Sequence, residues 1–349
     1  MSNTPYRLHY NENPLGPSPL VMDRIKAHLA GLSLYPPRDD EALRNRLAAF
    51  YGRGVTPAHL FTTYSGSEAL DLIARVFLAP GDEVIVCGPT FHVYERTAAW
   101  QGAKVIDVPL DGEDFSVRSD AVMEAVTTRT RLVYLGNPNN PTGSIVTRDD
   151  MDRLHEGLPG SVTLVSDEVY HQFVTRPDYP DSPADAVAGR NVIVLHSFSK
   201  VYGLAGLRVG VVISRTDIVE RLAGLRRTFH LGSLEMEAAA AAIGDQDHVA
   251  QSVALAEQGK KTLYAAFERL GVACWPSEGN FVLFQTPIPA DELAARMADR
   301  DILVGSGSRF GLAHSIRVSI GLPAANAAFV SALEGILIDH RQTVTTDGR

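Results

Sequence analysis

The chain has 349 residues, of which 45% are hydrophobic and 21% are charged, a composition typical of a globular protein with one large domain or two unequal domains. Its net charge of -9, without any run of five basic residues, argues against a nucleic-acid-binding surface, and no apolar stretch is long enough for a signal peptide or a membrane span. The cysteines, Cys87 and Cys274, are too few for a disulfide framework, so we expect a cytoplasmic protein with a buried thiol at Cys87.

The first predicted element is a helix within residues 36–52, since Leu43, Leu47 and Phe50 share one face. Beyond it, short runs of Val, Ile and Leu alternate with amphipathic segments. The runs predict strands at 83–89, 104–110, 129–138, 161–170, 191–199 and 207–214, and the segments predict helices at 67–78, 92–102 and 147–158. This alternation is typical of an α/β fold, in which helices cover both faces of a mainly parallel sheet.

The character of the chain changes near residue 246. The next predicted elements are a long polar helix at 247–271, a strand at 280–286, a helix at 290–301 and a strand at 314–321. This pattern predicts a smaller α+β domain. We therefore divide the chain into an N-terminal segment that joins the small domain, 1–35, a large domain, 36–245, and a small C-terminal domain, 246–349.

Polar and aromatic side chains occur where the predicted strands end, and this edge of a parallel sheet is where ligands bind. They are Gly66, Ser67, Glu68, Phe91, Asn140, Asp167, Tyr170, Ser197, Ser199 and Lys200. Each alone has an ordinary interpretation as a turn residue, a helix cap, a core aromatic or a solvated lysine. Their recurrence at successive strand ends favours one ligand site in the large domain.

Pyridoxal phosphate is a cofactor that needs this combination of side chains. Its aldehyde forms a Schiff base with a lysine amine, for which Lys200 is the candidate. Its ring nitrogen must stay protonated, so a carboxylate should face it, and Asp167 is available. Asn140 and Tyr170 can donate hydrogen bonds to the ring hydroxyl, and Phe91 can stack on the ring.

The phosphate of this cofactor needs backbone N–H groups, hydroxyls and an arginine. The sequence supplies Gly66, Ser67 and Glu68 at the start of a helix, and Ser197, Ser199 and Arg208 after a strand. We therefore predict a site for pyridoxal 5'-phosphate and no metal site.

The segments "NPNNPTG", "SDEVY" and "SFSKVYGLAGLRVG" resemble those of the fold-type I, class I and II aminotransferases. The segments "HYNENPLGPSP" and "LYPPRDDEALRNRLA" are similar to the branch that contains histidinol-phosphate aminotransferase. This resemblance covers residues 9–321, and Lys200, Asp167 and Tyr170 match the family's catalytic residues. It implies a fold-type I enzyme that transfers the amino group of an α-amino acid to a 2-oxo acid by ping-pong kinetics.

The resemblance also implies roles for residues outside the strand ends. Arg317 is similar to the arginine that grips the α-carboxylate of the substrate, and Asn280 to a residue of the small domain that faces the site. Tyr35 is similar to a tyrosine that reaches the cofactor phosphate in the neighbouring subunit. The resemblance thus implies a homodimer that acts on small molecules.

Related reactions stay open, because the same cofactor site supports decarboxylation, elimination or O₂-dependent oxidation of an amino acid. The reaction depends on which bond of the substrate Cα stands perpendicular to the ring. A non-catalytic sensor that shares the fold is a further alternative.

The predicted substrate pocket departs from the family in two places. Histidinol-phosphate aminotransferases place an arginine at the end of a small-domain strand to hold the substrate phosphate, and the matching residue here is Val304. Phe229 stands where they have a tyrosine from the second subunit. We therefore expect an α-amino acid without a phosphate as the substrate. Histidinol phosphate is the alternative, because Arg309 could restore the missing charge.

Overall fold

The computed structural model describes residues 4–347 and the side chains of residues 4–342, which form two sheets covered by helices. The strands are β1 (Tyr6–Leu8), β2 (Leu60–Thr63), β3 (Glu83–Val86), β4 (Lys104–Asp107), β5 (Thr130–Gly136), β6 (Thr163–Asp167), β7 (Val192–Ser197), β8 (Gly210–Ser214), β9 (Phe281–Gln285), β10 (Ile302–Ser306) and β11 (Ser315–Ser319). The α-helices are α1 (Pro19–His28), α2 (Glu41–Tyr51), α3 (Gly66–Phe77), α4 (Val93–Trp100), α5 (Ser119–Glu124), α6 (Arg148–Gly157), α7 (Ser182–Val187), α8 (Thr216–Ala223), α9 (Ser233–Ala242), α10 (Gln246–Leu270), α11 (Ala290–Ala298) and α12 (Pro323–Asp347). Across the described residues, no helix combines the length and the apolar character that crossing a bilayer requires.

The large sheet has the strand order β2-β8-β7-β6-β5-β3-β4. Strands β3 to β7 run parallel, whereas β8 is antiparallel to both of its neighbours, β2 and β7. Successive residues of β3 alternate between two hydrophobic clusters, with Val84 and Val86 in one and Ile85 in the other. Such a strand is buried on both faces by helices. The predicted α/β fold is therefore confirmed, and β8 is the strand of this sheet that runs against the others.

The small sheet has the strand order β1-β10-β11-β9. Strand β1 pairs in parallel with β10, and Leu8 lies opposite Val304. The N-terminal segment thus contributes a strand to the C-terminal part of the chain. The division into residues 1–35, 36–245 and 246–349 stays a prediction, and residues 1–3, 348 and 349 lie outside the described part.

After β1, the chain runs between the two sheets and is fixed there by hydrogen bonds. Asn11 has a left-handed backbone, with φ of 54°, and its N–H donates to Ser319 Oγ at 2.8 Å. The Ser319 hydroxyl in turn donates to Asn11 Oδ1 at 2.9 Å. Asn280 Nδ2 donates to the backbone oxygen of Asn11 at 3.1 Å. These bonds place Tyr10 and Asn11 at the carboxyl edge of the large sheet.

Candidate active site

A cavity of about 390 Å³ opens where the carboxyl ends of the parallel strands face the small sheet. The predicted site residues that line it are Gly66, Ser67, Phe91, Asn140, Asp167, Tyr170, Ser197, Ser199, Lys200, Arg208 and Arg317. They come from separate strands and loops, and the fold brings them to one place. Glu68, Asn280 and Tyr35 are absent from the lining.

We expected the Glu68 N–H group to face the cavity, but it does not. That N–H donates to Ser65 Oγ at 3.2 Å, and the Glu68 carboxylate accepts from the Tyr64 N–H at 2.5 Å. Ser65 is the N-cap of α3 and caps its first turn through this bond, while the Glu68 carboxylate binds the residue before the cap. Only Gly66 and Ser67 of this turn face the cavity.

Asn280 and Tyr35 also lie elsewhere. Asn280 was expected to face the site, but its buried amide donates to the backbone oxygens of Asn11 and Glu12, at 3.1 and 3.4 Å. It therefore anchors the N-terminal segment. Tyr35 is 83% exposed, and its ring stacks on that of Phe229 with the centroids 4.8 Å apart.

The turn that begins α3 presents backbone N–H groups to the cavity. Gly66 and Ser67 lie in the first turn, where the N–H groups of a helix lack intrahelical partners and attract anions. Gly210 lies directly against this turn, because a Cβ at that position would be 2.6 Å from Thr63 Oγ1 and 2.9 Å from the backbone nitrogen of Gly66. A side chain at position 210 would displace this turn.

Ser197, Ser199 and Arg208 line the same cavity as this turn. The Ser199 N–H donates to Ser197 Oγ at 3.1 Å, which holds the two hydroxyls together. Arg208 donates to the backbone oxygen of Ala205 at 2.9 Å and approaches Ser199 Oγ at 3.5 Å. No ion pair joins Arg208 to a carboxylate among the described side chains. Its positive charge is therefore available to an anionic ligand.

Asp167 ends β6 with its carboxylate buried in the cavity wall. Its Oδ2 accepts from the Tyr94 hydroxyl at 2.8 Å, whereas Oδ1 is buried and has no hydrogen-bond partner among the described residues. Burial raises the pKa of Asp167 to about 6, although the bond from Tyr94 opposes the change. A buried carboxylate oxygen without a partner is costly, so a protonated nitrogen of a ligand would stabilise it.

Lys200 follows β7 and projects into the cavity. Its Nζ donates to the backbone oxygen of Tyr10 at 3.1 Å and lies 5.4 Å from the centroid of the Tyr170 ring. No carboxylate forms an ion pair with Lys200 among the described residues. The amine is therefore held only by a neutral carbonyl and an aromatic face, and a ligand can take it without breaking an ion pair.

Tyr170 and Asn140 both keep a donor free. The Tyr170 hydroxyl accepts from Asn11 Nδ2 at 2.9 Å, so its own proton can be donated to a ligand. Asn140 Oδ1 accepts from Arg317, which leaves the Asn140 NH₂ group to donate. Both residues line the cavity with the hydrogen-bonding capacity that a ring hydroxylate would use.

Arg317 is a buried cation without a carboxylate partner among the described residues. The side chain is on β11 and the residue is 5% exposed, and its two terminal nitrogens donate to Asn140 Oδ1 and to the backbone oxygen of His9. Its Nε is buried and has no hydrogen-bond partner in the described part of the chain. Burial lowers the pKa of Arg317, but a guanidinium keeps its proton at neutral pH. This arrangement is suited to an anionic substrate group.

The expectation for Val304 was wrong. Val304 is only 9% exposed and belongs to the hydrophobic cluster of the small sheet, so its side chain points away from the cavity. The residue of β10 that lies beside Arg317 is Gly305, which pairs with it across β10 and β11. Neighbouring residues of a strand face opposite sides of the sheet. A shift of one residue in the comparison with the family therefore replaces a residue that faces the cavity with one that faces the core. Arg309 does line the cavity.

Sequence reasoning missed several cavity residues. Tyr94 lies three residues after Phe91, on α4, and this spacing was a signal that the two side chains could meet at one site. Tyr10, Asn11 and Glu12 belong to the "HYNENP" segment, which carried a family resemblance but no assigned roles. Their contacts with the cavity depend on the path of the N-terminal segment, which has no local sequence signal.

The donor set fits pyridoxal phosphate. The partnerless Oδ1 of Asp167 matches a protonated ring nitrogen, and the N–H groups of α3 together with Arg208 match a phosphate. In the part of the chain that the structure describes, no group of three or more His, Cys, Asp or Glu side chains is arranged to hold a metal ion.

Comparisons with known proteins agree with this chemistry. The family model for aminotransferases of class I and II matches residues 5–333. The histidinol-phosphate aminotransferases of Symbiobacterium thermophilum and Moorella thermoacetica are each 39% identical to this chain over 332 residues. Each match covers 95% of this chain, and it covers 90% of the Symbiobacterium protein and 85% of the Moorella protein. The structure of histidinol-phosphate aminotransferase from Sinorhizobium meliloti in complex with pyridoxal-5'-phosphate superposes with a TM-score of 0.87 at 26% identity, over 97% of this chain and 92% of that chain.

Proposed function

Because the chain belongs to the class I and II aminotransferases, which use pyridoxal 5'-phosphate, we propose that it transfers the amino group of an α-amino acid to a 2-oxo acid in the cavity described above. This choice of substrate rests on one observation: the guanidinium of Arg317 is buried and has no carboxylate partner among the described residues. A carboxylate of the substrate would pair with it bidentately. The same cavity holds Lys200 and Asp167, so the carboxylate would lie near the cofactor.

When bound, pyridoxal phosphate supplies an aldehyde that takes up the amino group and a ring that withdraws electrons from the substrate Cα. Asp167 Oδ1 would accept a hydrogen bond from the ring N–H and, as an anion, would keep that nitrogen protonated. Phe91 would cover one face of the ring. Gly66, Ser67, Ser197, Ser199 and Arg208 would bind the phosphate.

Lys200 carries the proton chemistry in this proposal. Its Nζ would remove the proton from the substrate Cα and then deliver a proton to the aldehyde-derived carbon of the cofactor, so it would act first as a general base and then as a general acid. Arg317 fixes the α-carboxylate so that the Cα–H bond faces Lys200. Tyr170 and Asn140 donate hydrogen bonds to the ring hydroxyl. Donor and acceptor use one cavity in turn, which gives ping-pong kinetics.

The exposed residues near Tyr35 support a homodimer in which Tyr35 reaches the cofactor phosphate of the neighbouring subunit. Tyr35 is 83% exposed, and Leu32 and Leu34 in the same segment are 66% and 73% exposed. Exposed apolar side chains grouped in this way are typical of a surface that another protein covers. A tyrosine on this surface can complete a site in a second copy of the chain.

We expect activity to return when two inactive variants, Lys200→Ala and Tyr35→Ala, form mixed dimers. One site of the mixed dimer then carries both changes and the other carries neither. Random mixing should therefore restore about a quarter of the wild-type sites. Activity assays on co-refolded variants, with light scattering to measure mass, check this. Tyr35→Phe is the control for the hydroxyl alone. A fully active monomer, or mixed dimers no better than the parents, would rule out donation in trans.

Histidinol phosphate is the second candidate substrate. It is favoured by Arg309, which lines the cavity and supplies a further positive charge, and by the names of the relatives. We favour the α-amino acid because histidinol phosphate has no carboxylate for Arg317. Val304 does not bear on this choice, since its side chain lies in the core.

We expect amino acids to be turned over with higher kcat/KM than histidinol phosphate when 2-oxoglutarate is the acceptor. The reason is that only an α-carboxylate pairs bidentately with Arg317 and fixes the Cα–H bond. Steady-state assays of the common amino acids against histidinol phosphate measure this directly. A kcat/KM for histidinol phosphate above about 10⁴ M⁻¹s⁻¹, together with slower turnover of every amino acid, would reverse the assignment.

A cytoplasmic location completes the proposal. Both Cys87 and Cys274 are free thiols, and burial raises the pKa of the Cys87 thiol to about 12. Free thiols persist in a reducing compartment.

A further inference from the structure

A cluster of polar side chains is buried behind the large sheet, on the face opposite the cavity. Its central contact joins Glu168, which directly follows β6, to His196 of β7, with Oε2 3.4 Å from Nε2. The two residues are 1% and 4% exposed, and no lysine or arginine forms an ion pair with Glu168 among the described residues. Neither residue belongs to the described lining of the cavity. The function proposed above therefore gives this pair no role.

Hydrogen bonds connect the pair to two further side chains. Glu168 Oε1 accepts from the Ser166 hydroxyl at 2.7 Å, and His196 Nδ1 lies 2.9 Å from the hydroxyl of Tyr51, the last residue of α2. Burial lowers the pKa of His196 to about 3, so its imidazole is neutral and has one donor and one acceptor nitrogen. Burial raises the pKa of Glu168 to about 7. When Glu168 is ionised, Nε2–H faces its carboxylate and Nδ1 accepts from Tyr51, and when Glu168 is protonated both bonds reverse direction and the contacts remain.

His171 joins the cluster from the segment after β6. Its ring stacks on that of His196 with the centroids 3.7 Å apart, and its Nδ1–H donates to the backbone oxygen of Glu168 at 2.8 Å. The Glu168 N–H in turn donates to the backbone oxygen of Leu195 at 2.8 Å, which links the ends of β6 and β7. The carboxyl ends of both strands and the turn after β6 are thus held together from behind.

Each of the three buried residues is the chain neighbour of a residue that lines the cavity. The pairs are Glu168 with Asp167, His171 with Tyr170, and His196 with Ser197. Successive side chains of a strand point to opposite faces, so a shift of a buried residue moves its neighbour at the cavity. Asp167 lies opposite Leu195 in the sheet, and Asp167 and Ser197 therefore share the cavity face. The packing of the buried pair behind them thus sets the distance between these two side chains.

We propose that Glu168 and His196 are positioning residues that fix the spacing of Asp167 and Ser197. The inference rests on the proposed function, in which Asp167 binds the ring nitrogen of pyridoxal phosphate and Ser197 binds its phosphate. One rigid ligand must reach both side chains, so its affinity depends on their spacing. The affinity of a ligand that uses only one of the two ends does not. Neither buried residue touches the cofactor.

The cofactor and its two halves provide matched probes. Absorption titration of the cofactor-free enzyme measures the affinity for pyridoxal phosphate and for pyridoxal, and calorimetry measures the affinity for inorganic phosphate. We expect Glu168→Ala to weaken the binding of pyridoxal phosphate by about tenfold to a hundredfold, the effect of losing a buried hydrogen-bond partner. Pyridoxal and inorganic phosphate should bind with nearly unchanged affinity. Glu168→Gln keeps the shape and an acceptor oxygen, so it should retain most of the affinity for the cofactor.

Glu220→Ala, at an exposed position of α8, is the control and should change none of the three affinities. Equal weakening of all three ligands by Glu168→Ala, or an unchanged affinity for pyridoxal phosphate, would overturn the proposal. Should Glu168→Ala not fold, Tyr51→Phe removes only the hydroxyl that His196 contacts, and it should give a smaller loss that is again confined to pyridoxal phosphate. Failure of the proposed function has a different signature, since Asp167→Asn and Ser197→Ala would then leave the affinity for the cofactor unchanged.

Discussion

Lys200→Ala should lose essentially all turnover and should still bind pyridoxal phosphate. The variant lacks both the amine that binds the aldehyde and the group that moves the Cα proton, so we expect kcat to fall by roughly 10⁴-fold. The phosphate-binding groups of α3 and Arg208 are untouched, so the cofactor should remain bound. Steady-state assays and cofactor titration measure the two effects separately.

Lys104→Ala is the matched control, because Lys104 is an exposed lysine at the edge of the large sheet. It should keep full activity. Borohydride reduction of the wild-type enzyme, followed by peptide mapping, should place the cofactor on the peptide that contains Lys200. An adduct on another lysine would overturn the assignment, as would a Lys200→Ala variant with near-native kcat.

Asp167→Asn should keep the fold and lose most of the activity. The amide can still accept from the Tyr94 hydroxyl, but it has no charge with which to keep the ring nitrogen protonated. Removing one member of a buried ion pair costs about 3–5 kcal/mol, so the rate should fall by a factor on the order of a hundred or more. Tyr94→Phe is the control, since Asp167 keeps its charge there and the loss should be smaller. Near-native kcat in Asp167→Asn would contradict the role of Asp167.

The same residue predicts a pH dependence of cofactor binding. Without cofactor, the pKa of Asp167 is about 6, raised by burial, so below that pH the carboxyl is protonated and cannot act as an anionic acceptor. Affinity for pyridoxal phosphate should therefore decrease as the pH falls through about 6. The cofactor phosphate also titrates in this range. Asp167→Asn should keep the pH dependence that comes from the cofactor phosphate and lose the part that comes from Asp167. Equal pH profiles of cofactor affinity in the wild-type enzyme and in Asp167→Asn would contradict this explanation.

The helices and parallel strands could be predicted because each has a local signal, either a run of β-branched residues or an amphipathic period. Strand β2 has only four residues, Leu60–Thr63, and two of its buried side chains are threonines, so no alternation identifies it. The turn proposed to bind the phosphate was predicted from Gly66 and Ser67, and both line the cavity. Glu68 was misjudged because its N–H is taken by Ser65, a capping contact that becomes clear only when the start of α3 is known.

The substrate end of the cavity was harder to predict than the cofactor end. The cofactor residues follow strands whose register is set by buried apolar side chains on both faces. The segment from Val304 to Arg309 contains two glycines, Gly305 and Gly307, and gives no hydrophobic pattern, so a shift of one residue could not be detected. Asn280 was misplaced for a related reason, because its partner is the backbone of the distant N-terminal segment.

The most direct test of aminotransferase chemistry in this cavity is a single-turnover reaction of the cofactor-loaded enzyme with an α-amino acid and no acceptor. Absorption reports the state of the cofactor, and mass spectrometry identifies the product. We predict one equivalent of the 2-oxo acid per active site, loss of the visible absorption band, and its return when a second 2-oxo acid is added. Release of CO₂, consumption of O₂, or an unchanged cofactor with every amino acid would contradict the proposed transfer.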